Sequence, residues 1–428
     1  MRQIFFRDIK TCFFIKSYYI PKCLLKDLIY SIKINCNSFS FHELAGMKQK
    51  SILLSLLASC CWLFIRAQSN MPTDRNATSA TIKLYQNLKK TINRGILFGH
   101  QDDLAYGVGW FGDSGRSSVK DIIGDYPAVY GWDLGHIEQD SPYNLDSVSF
   151  DNMRRYIQDG YARGGVITIS WHLNNPVNGK SAWDTSKGIV RELLQGGSSY
   201  DLYRTWMDKV AFFINSLRDK NGELIPVIFR PYHELTGDWF WWGKNRCNEQ
   251  QIKDLLRYTI TYFRDKKQLH NLLYVYNTSG FKTKDAFLER YPGDDIIDIL
   301  SFDDYQYGDA SKDDIYTLNV DQQLTMLEEM ASLKNKIPAF AETGYEKIPY
   351  ATWWTNCFLK AMIKHKISYV LVWRDGGLVG GRPPRQYSPS YSHFIPTPHH
   401  NSEADFVRMY ESGKFIFQKK VATFNLYK

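Results

Sequence analysis

With 428 residues, 44% of them apolar and 15% aromatic, the chain has ample material for a core and room for two ordinary domains or one large barrel. Its formal charge of +8 is unevenly placed: residues 1–69 carry ten Lys/Arg against three acids, and the rest carry 43 against 42. The body is therefore near neutral, which removes the electrostatic argument for a nucleic-acid partner.

The first 69 residues read as a leader. Met47-Lys48-Gln49-Lys50 is a short basic region, SILLSLLASCCWLFI an apolar run too short for an ordinary membrane span, and Ala67-Gln68-Ser69 a small-residue cleavage site. The expectation is a secretory signal peptide over 47–69, with residues 1–46 an upstream extension and the product secreted or periplasmic. Leu57-Ala58-Ser59-Cys60 also resembles a lipoprotein box, which would place Cys60 on a membrane, although the apolar run continues past it to Ile65. Five of the seven cysteines fall in the leader, and the remaining Cys247 and Cys357 are too few for a disulfide framework. Whether those two pair is left open.

From residue 70 onward short apolar runs alternate with amphipathic ones, the pattern of repeated βα units. A helix over 78–93 leads into a strand at 96–102. A helix near 117–124 precedes the second strand, 127–134, and a helix at 149–162 precedes the third, 165–173. A long insertion and a helix at 200–218 lead to the fourth strand, which opens the stretch Pro226 to Trp242, PVIFRPYHELTGDWFWW. A helix at 249–267 precedes the strand 272–279, and 298–305 forms the sixth. Helices at 320–334 and 351–365 precede strands at 338–344 and 369–376, and a last helix near 402–412 follows the long loop 377–400. Eight strands with intervening helices predict one (β/α)8 barrel over 70–428. His100, Asp133, His172, His233, Glu234, Asn277, Asp303, Tyr305, Glu342 and Trp373 all fall at C-terminal strand ends, the face that carries the active site in this fold.

Two carboxylates, Glu234 after strand four and Glu342 at the end of strand seven, face each other across the mouth of such a barrel. That is the pair glycoside hydrolysis needs. The acid/base must keep its proton near neutral pH and so wants apolar cover; Glu234, with Trp239 and Trp241 behind it, has it. The nucleophile must be ionised and wants donors, which Arg230 or a histidine would give Glu342. Tyr305 can point its hydroxyl at the nucleophile, and Trp373 can form a platform under a sugar ring. His172 and His233 can each point a ring nitrogen into the cleft. The bland alternative is an Arg230–Glu234 ion pair that only closes a strand.

Arg230-Pro231-Tyr232-His233-Glu234, with Trp239 five residues on, resembles the acid/base motif of glycoside hydrolase family 26, the β-mannanases. Ala341-Glu342-Thr343-Gly344 resembles the nucleophile strand of that family, and the likeness extends to Ser170-Trp171-His172, Asp303-Asp304-Tyr305 and Val372-Trp373. It covers about 80–415. The resemblance implies a retaining β-1,4-mannanase, with Glu234 as proton donor and Glu342 as nucleophile. It also implies His172, His233, Trp239, Tyr305 and Trp373 around the sugar and no metal or cofactor; Arg230 and Asp303 are counted with them as substrate-binding candidates, and a monomer acting on β-mannan is expected.

Several signals are set aside. Gly107-Val108-Gly109-Trp110-Phe111-Gly112 fits the spacing of a dinucleotide fingerprint but is separated from its strand and filled with Trp-Phe. The histidines lack zinc spacing, G-x-S-x-G is missing, and Asn76-Ala77-Thr78 matters only in a glycosylating host. The competing functions are the same machinery acting on β-1,3-xylan or mixed-linkage β-glucan, and a carbohydrate-binding barrel without catalysis.

Overall fold

In the computed structural model, which describes residues 70–376 and 392–428, eight parallel strands close on themselves. They are β1 (Ile96–Gln101), β2 (Val129–Asp133), β3 (Val166–Trp171), β4 (Val227–Pro231), β5 (Leu272–Ser279), β6 (Ile299–Asp303), β7 (Ile337–Thr343) and β8 (Tyr369–Val372). Each pairs with the next, and β8 returns to β1 with Leu97 opposite Tyr369 and His100 opposite Val372. This is the (β/α)8 barrel that the alternation predicts. The leader, including Met47, Cys60 and the cleavage site, lies outside the described residues, as does 377–391 of the loop 377–400.

Helices α1 (Ser79–Thr91), α2 (Ser118–Ile123), α3 (Phe150–Ala162), α4 (Ile189–Leu193), α5 (Tyr200–Ser216), α6 (Glu249–Thr261), α7 (Lys284–Leu288) and α8 (Ile315–Lys334) fall before and between the strands. The short α4 and α7 were not foreseen, being single turns or little more. Local chemistry sets the ends: α6 opens on a capping box, Asn248 taking the Gln251 N–H at 2.9 Å and Gln251 returning to the Asn248 N–H at 3.1 Å. The Gly107–Gly112 stretch forms a tight antiparallel hairpin, Tyr106–Gly107 against Trp110–Phe111. A Cβ on Gly107 would meet the Trp110 Nε1 at 2.4 Å, so this glycine serves a close approach within the hairpin. Cys247 and Cys357 are separate buried thiols.

Strand alternation sorts the side chains into two cores. Leu97, Val129, Ile228, Leu273, Val275, Ile299 and Leu371 fill the barrel, while Phe98, Trp132, Phe229, Tyr274, Leu300 and Phe340 point out under the helices. The inward parity continues upward into polar groups: Gln101, Asp133, Ser170, Arg230, Asn277 and Asp303 are all buried at the C-terminal ends of their strands.

One strand breaks this alternation where it matters. Counting from Ile337, Ala339 and Ala341 in β7, Glu342 should face the helices. Phe302 lies opposite Phe340 but Asp303 lies opposite Glu342, and on the other side Val370 faces Phe340 while Val372 faces Thr343. Both neighbours thus register one extra residue in β7. This bulge turns Glu342 onto the barrel axis beside Asp303.

Candidate active site

β4 does not end smoothly. After Pro231 the chain places Tyr232 at φ 49° and Glu234 at φ 51°, two non-glycine residues in the left-handed region on either side of His233. Such residues are strained and persist only where their surroundings hold them. Tyr232 is fully buried, and its hydroxyl meets those of Tyr203 on α5 and Thr259 on α6, the latter at 3.0 Å. The Trp242 Nε1–H donates to the His233 carbonyl at 2.9 Å. Glu234 then emerges half-buried, its N–H bound to the Asn277 Oδ1 at 2.7 Å and its carboxylate accepting from the Trp239 Nε1–H at 2.6 Å.

Glu342 stands opposite with donors on both oxygens. The Tyr305 hydroxyl donates to one at 3.0 Å, and the Arg230 Nη2 donates to the other. The second arm of Arg230 reaches the Asp303 Oδ2 at 2.7 Å, and the Asn277 Nδ2 donates to the Asp303 Oδ1 at 2.8 Å. The ion pair foreseen as the bland reading, Arg230 with Glu234, is therefore not the one formed; Arg230 pairs with Asp303 and Glu342. One oxygen each of Glu234, Asp303 and Glu342 lies within 4.8 Å of the other two, a spacing that one cation could bridge. The Arg230 guanidinium already lies against two of the three.

The two glutamates sit in opposite surroundings. Burial first, and then the charge of Glu342, push the Glu234 carboxyl up to about 7, outweighing the Trp239 hydrogen bond and the Arg230 charge. His172 shows the same logic on a base. Burial disfavours its charged form, but the Asp133 carboxylate, 2.7 Å from its Nδ1, holds it above the usual histidine range. Asp133 itself is drawn down to about 2, burial being outweighed by the charge and hydrogen bond of His172. His233 goes the other way: burial, then repulsion by His172 and Arg230, keep it well below its ordinary value and neutral. The two rings meet edge to face, centroids 4.2 Å apart.

Aromatic faces line the rim. Trp239 is 39% exposed, and Trp373 is half-buried with its ring 6.3 Å from that of His172. Three residues close to the site were not singled out from the sequence. Trp183, 50% exposed in the insertion after β3, stacks on His172 at 5.1 Å and 15°. Tyr307, 78% exposed, lies 6.5 Å from Tyr305. Arg374 pairs with Asp146 at 2.7 Å, next to Trp373 in the chain. A tryptophan in a loop over the functional face was the available signal for Trp183; nothing in the sequence pointed to the Arg374 pair.

The raised Glu234 has a consequence for stability. A carboxyl held near 7, against its ordinary 4.5, binds its proton more tightly in the folded chain than in the unfolded one. Its contribution is most favourable below about pH 4.5, declines as the pH rises to about 7, and is flat above. Glu234→Gln is therefore expected to stabilise the fold at pH 8 by on the order of 1–3 kcal/mol and by much less at pH 4. Urea titrations at the two pH values check this, and an equal or larger gain at pH 4 would contradict the assignment.

Residues 73–375 match the family model described as glycosyl hydrolase family 26. The chain is 34% identical over 279 residues to a mannan endo-1,4-β-mannosidase of Bifidobacterium adolescentis, covering 64% of this chain but only 28% of that protein. It is 26% identical over 343 residues to a mannan endo-1,4-β-mannosidase of Bacillus subtilis, covering 76% of this chain and 88% of the relative. Among solved structures, a family 26 β-mannanase from Bacteroides ovatus aligns with a TM-score of 0.76 at 44% identity, over 82% of this chain and 98% of that one.

Proposed function

The chain belongs to glycosyl hydrolase family 26, and on that premise we propose that it hydrolyses β-1,4-mannosidic bonds in mannan by double displacement. The observation that carries the mechanism is the pair Glu234 and Glu342, with oxygens within 4.8 Å of each other and opposite electrostatic settings. That closeness favours the retaining spacing of about 5–5.5 Å over the inverting one of about 6.5–9.5 Å.

In this reading Glu342 is the nucleophile. Arg230 and Tyr305 hold its carboxylate on the axis, and one oxygen attacks the anomeric carbon. Glu234, protonated, gives its proton to the glycosidic oxygen as that bond breaks, releasing the leaving chain as an alcohol. The Glu234 carboxylate then takes a proton from water, whose oxygen attacks the same carbon and frees Glu342. Trp373 and Trp183 offer faces to sugar rings and Trp239 orients the acid. Because the donor must be protonated, activity should fall as the pH rises through about 7, the basic limb of kcat/KM.

The sugar is tested by products. On unbranched mannan, galactomannan, xylan and β-glucan, turnover is expected on the mannans, with the new reducing end released first as the β anomer. Release of the α anomer, or preference for glucan, would sink this reading. His172→Ala and His233→Ala are expected to narrow the gap between manno- and gluco-oligosaccharides, by on the order of a hundredfold, where Tyr85→Ala, a core change, does not.

A further inference from the structure

We propose that Asn277 is a positioning residue for the acid/base: its carboxamide latches the left-handed turn that aims Glu234 and ties that turn to the ion pairs holding Glu342. This rests on the double-displacement reading. Pairing between β4 and β5 ends with Phe229 opposite Tyr274 and β4 itself ends at Pro231, so the turn that follows needs partners for its N–H groups outside the ladder. Asn277, buried near the end of β5, takes two in succession. Its Oδ1 accepts from Glu234 at 2.7 Å, and its main-chain oxygen accepts from Leu235 at 3.4 Å. Two residues on, the Ser279 N–H donates to the Thr236 Oγ1 at 3.2 Å, so the turn is fastened to β5 along its length.

The amide can sit only one way round. Oδ1 faces an N–H, while Nδ2 donates to the Asp303 Oδ1 at 2.8 Å and to the Ser301 Oγ at 2.9 Å, whose own hydrogen goes to the Tyr276 carbonyl at 3.3 Å. Turned over, it would set a donor against a donor and an oxygen against a carboxylate. Asp303 in turn accepts from Arg230, whose other nitrogen holds Glu342. One neutral amide thus joins the main chain of one glutamate to the charge support of the other. It fixes where Glu234 delivers its proton without touching the sugar.

The test compares kcat/KM on mannan, whose leaving group needs a proton, with that on a dinitrophenyl manno-oligosaccharide, whose leaving group does not. Asn277→Ala is expected to lower the first by on the order of a hundredfold and the second by less than about threefold. Asn277→Asp keeps an acceptor for the Glu234 N–H, loses both donors and adds a carboxyl group. Its basic limb should move to higher pH while its mannan rate stays above that of Asn277→Ala. Equal losses on both substrates, or none, overturn the proposal. Should Asn277→Ala not fold, an unmoved basic limb in Asn277→Asp overturns it instead. Glu234→Ala run in parallel separates the two ideas. If it fails to spare the activated substrate, the acid/base assignment falls; if it spares it while Asn277→Ala does not discriminate, only the latch falls.

Discussion

Replacing Glu342 by alanine is expected to abolish turnover of mannan and of an activated aryl substrate alike, by on the order of a thousandfold or more, about 4 kcal/mol in the barrier. The reason lies in what the residue supplies. A good leaving group relieves the need for an acid, but nothing relieves the need for a nucleophile held under the anomeric carbon. The loss also leaves a donor of Arg230 and the hydroxyl of Tyr305 without their acceptor, in a buried setting where unpaired donors are costly. Some destabilisation is therefore expected, and rates must be compared at matched folded fraction. Glu342→Gln keeps the volume and one acceptor, and should fold better while remaining inactive. If either variant retained activity on the activated substrate within about tenfold of the parent, Glu342 would not be the nucleophile.

The barrel was legible because its signals are local and repeated. Each strand is a short apolar run bounded by helical periods, and no predicted strand starts more than two residues from its observed start. The site was legible in part, because chemistry-bearing residues fall at strand ends and the fold assigns that face a role. What alternation alone could not give is the direction of Glu342. Its parity with Ala339 and Ala341 is wrong, and only a bulge, visible in the registers to both neighbours, turns it inward. The left-handed pair at Tyr232 and Glu234 was hidden for a related reason. Neither is a glycine, so nothing in the sequence announces φ near +50°; the hydroxyls of Tyr203 and Thr259 and the amide of Asn277 hold it from other elements.

Partner choice was equally a tertiary fact. Arg230 and Glu234 are four residues apart in sequence, and an ion pair between them was the bland alternative to Arg230, or a histidine, serving Glu342. The kink after Pro231 removes Glu234 from reach of that role and leaves the guanidinium to Asp303 and Glu342, 73 and 112 residues away. The separation has a chemical point. Had Arg230 taken Glu234, the proposed acid would be held ionised; instead it lies against Glu342, the proposed nucleophile, while Glu234 keeps its proton to about 7.

Glu234→Ala should then behave unlike any variant of Glu342. On mannan the loss is expected to be on the order of a thousandfold, because the departing sugar oxygen has no proton donor. With a dinitrophenyl leaving group, bond breaking needs no acid, so kcat/KM should stay near the parent value. Steady-state kcat should nevertheless fall, since water attacking the glycosyl-enzyme has lost its base, and KM should fall with it as the intermediate accumulates. The truncated side chain leaves space beside Trp239 and removes the carboxylate that Glu234 would carry in the intermediate once it has given up its proton. A small anion that needs no base can enter there. Added azide should attack the anomeric carbon of the intermediate, break its ester bond to Glu342 and leave as the β-glycosyl azide, restoring kcat without raising kcat/KM. Recovery of the α-glycosyl azide would mean that no covalent intermediate was intercepted. Failure of azide to raise kcat, with kcat/KM on the activated substrate also lost, would mean that Glu234 is required for bond breaking whatever the leaving group, and the division of labour between the two glutamates would have to be redrawn.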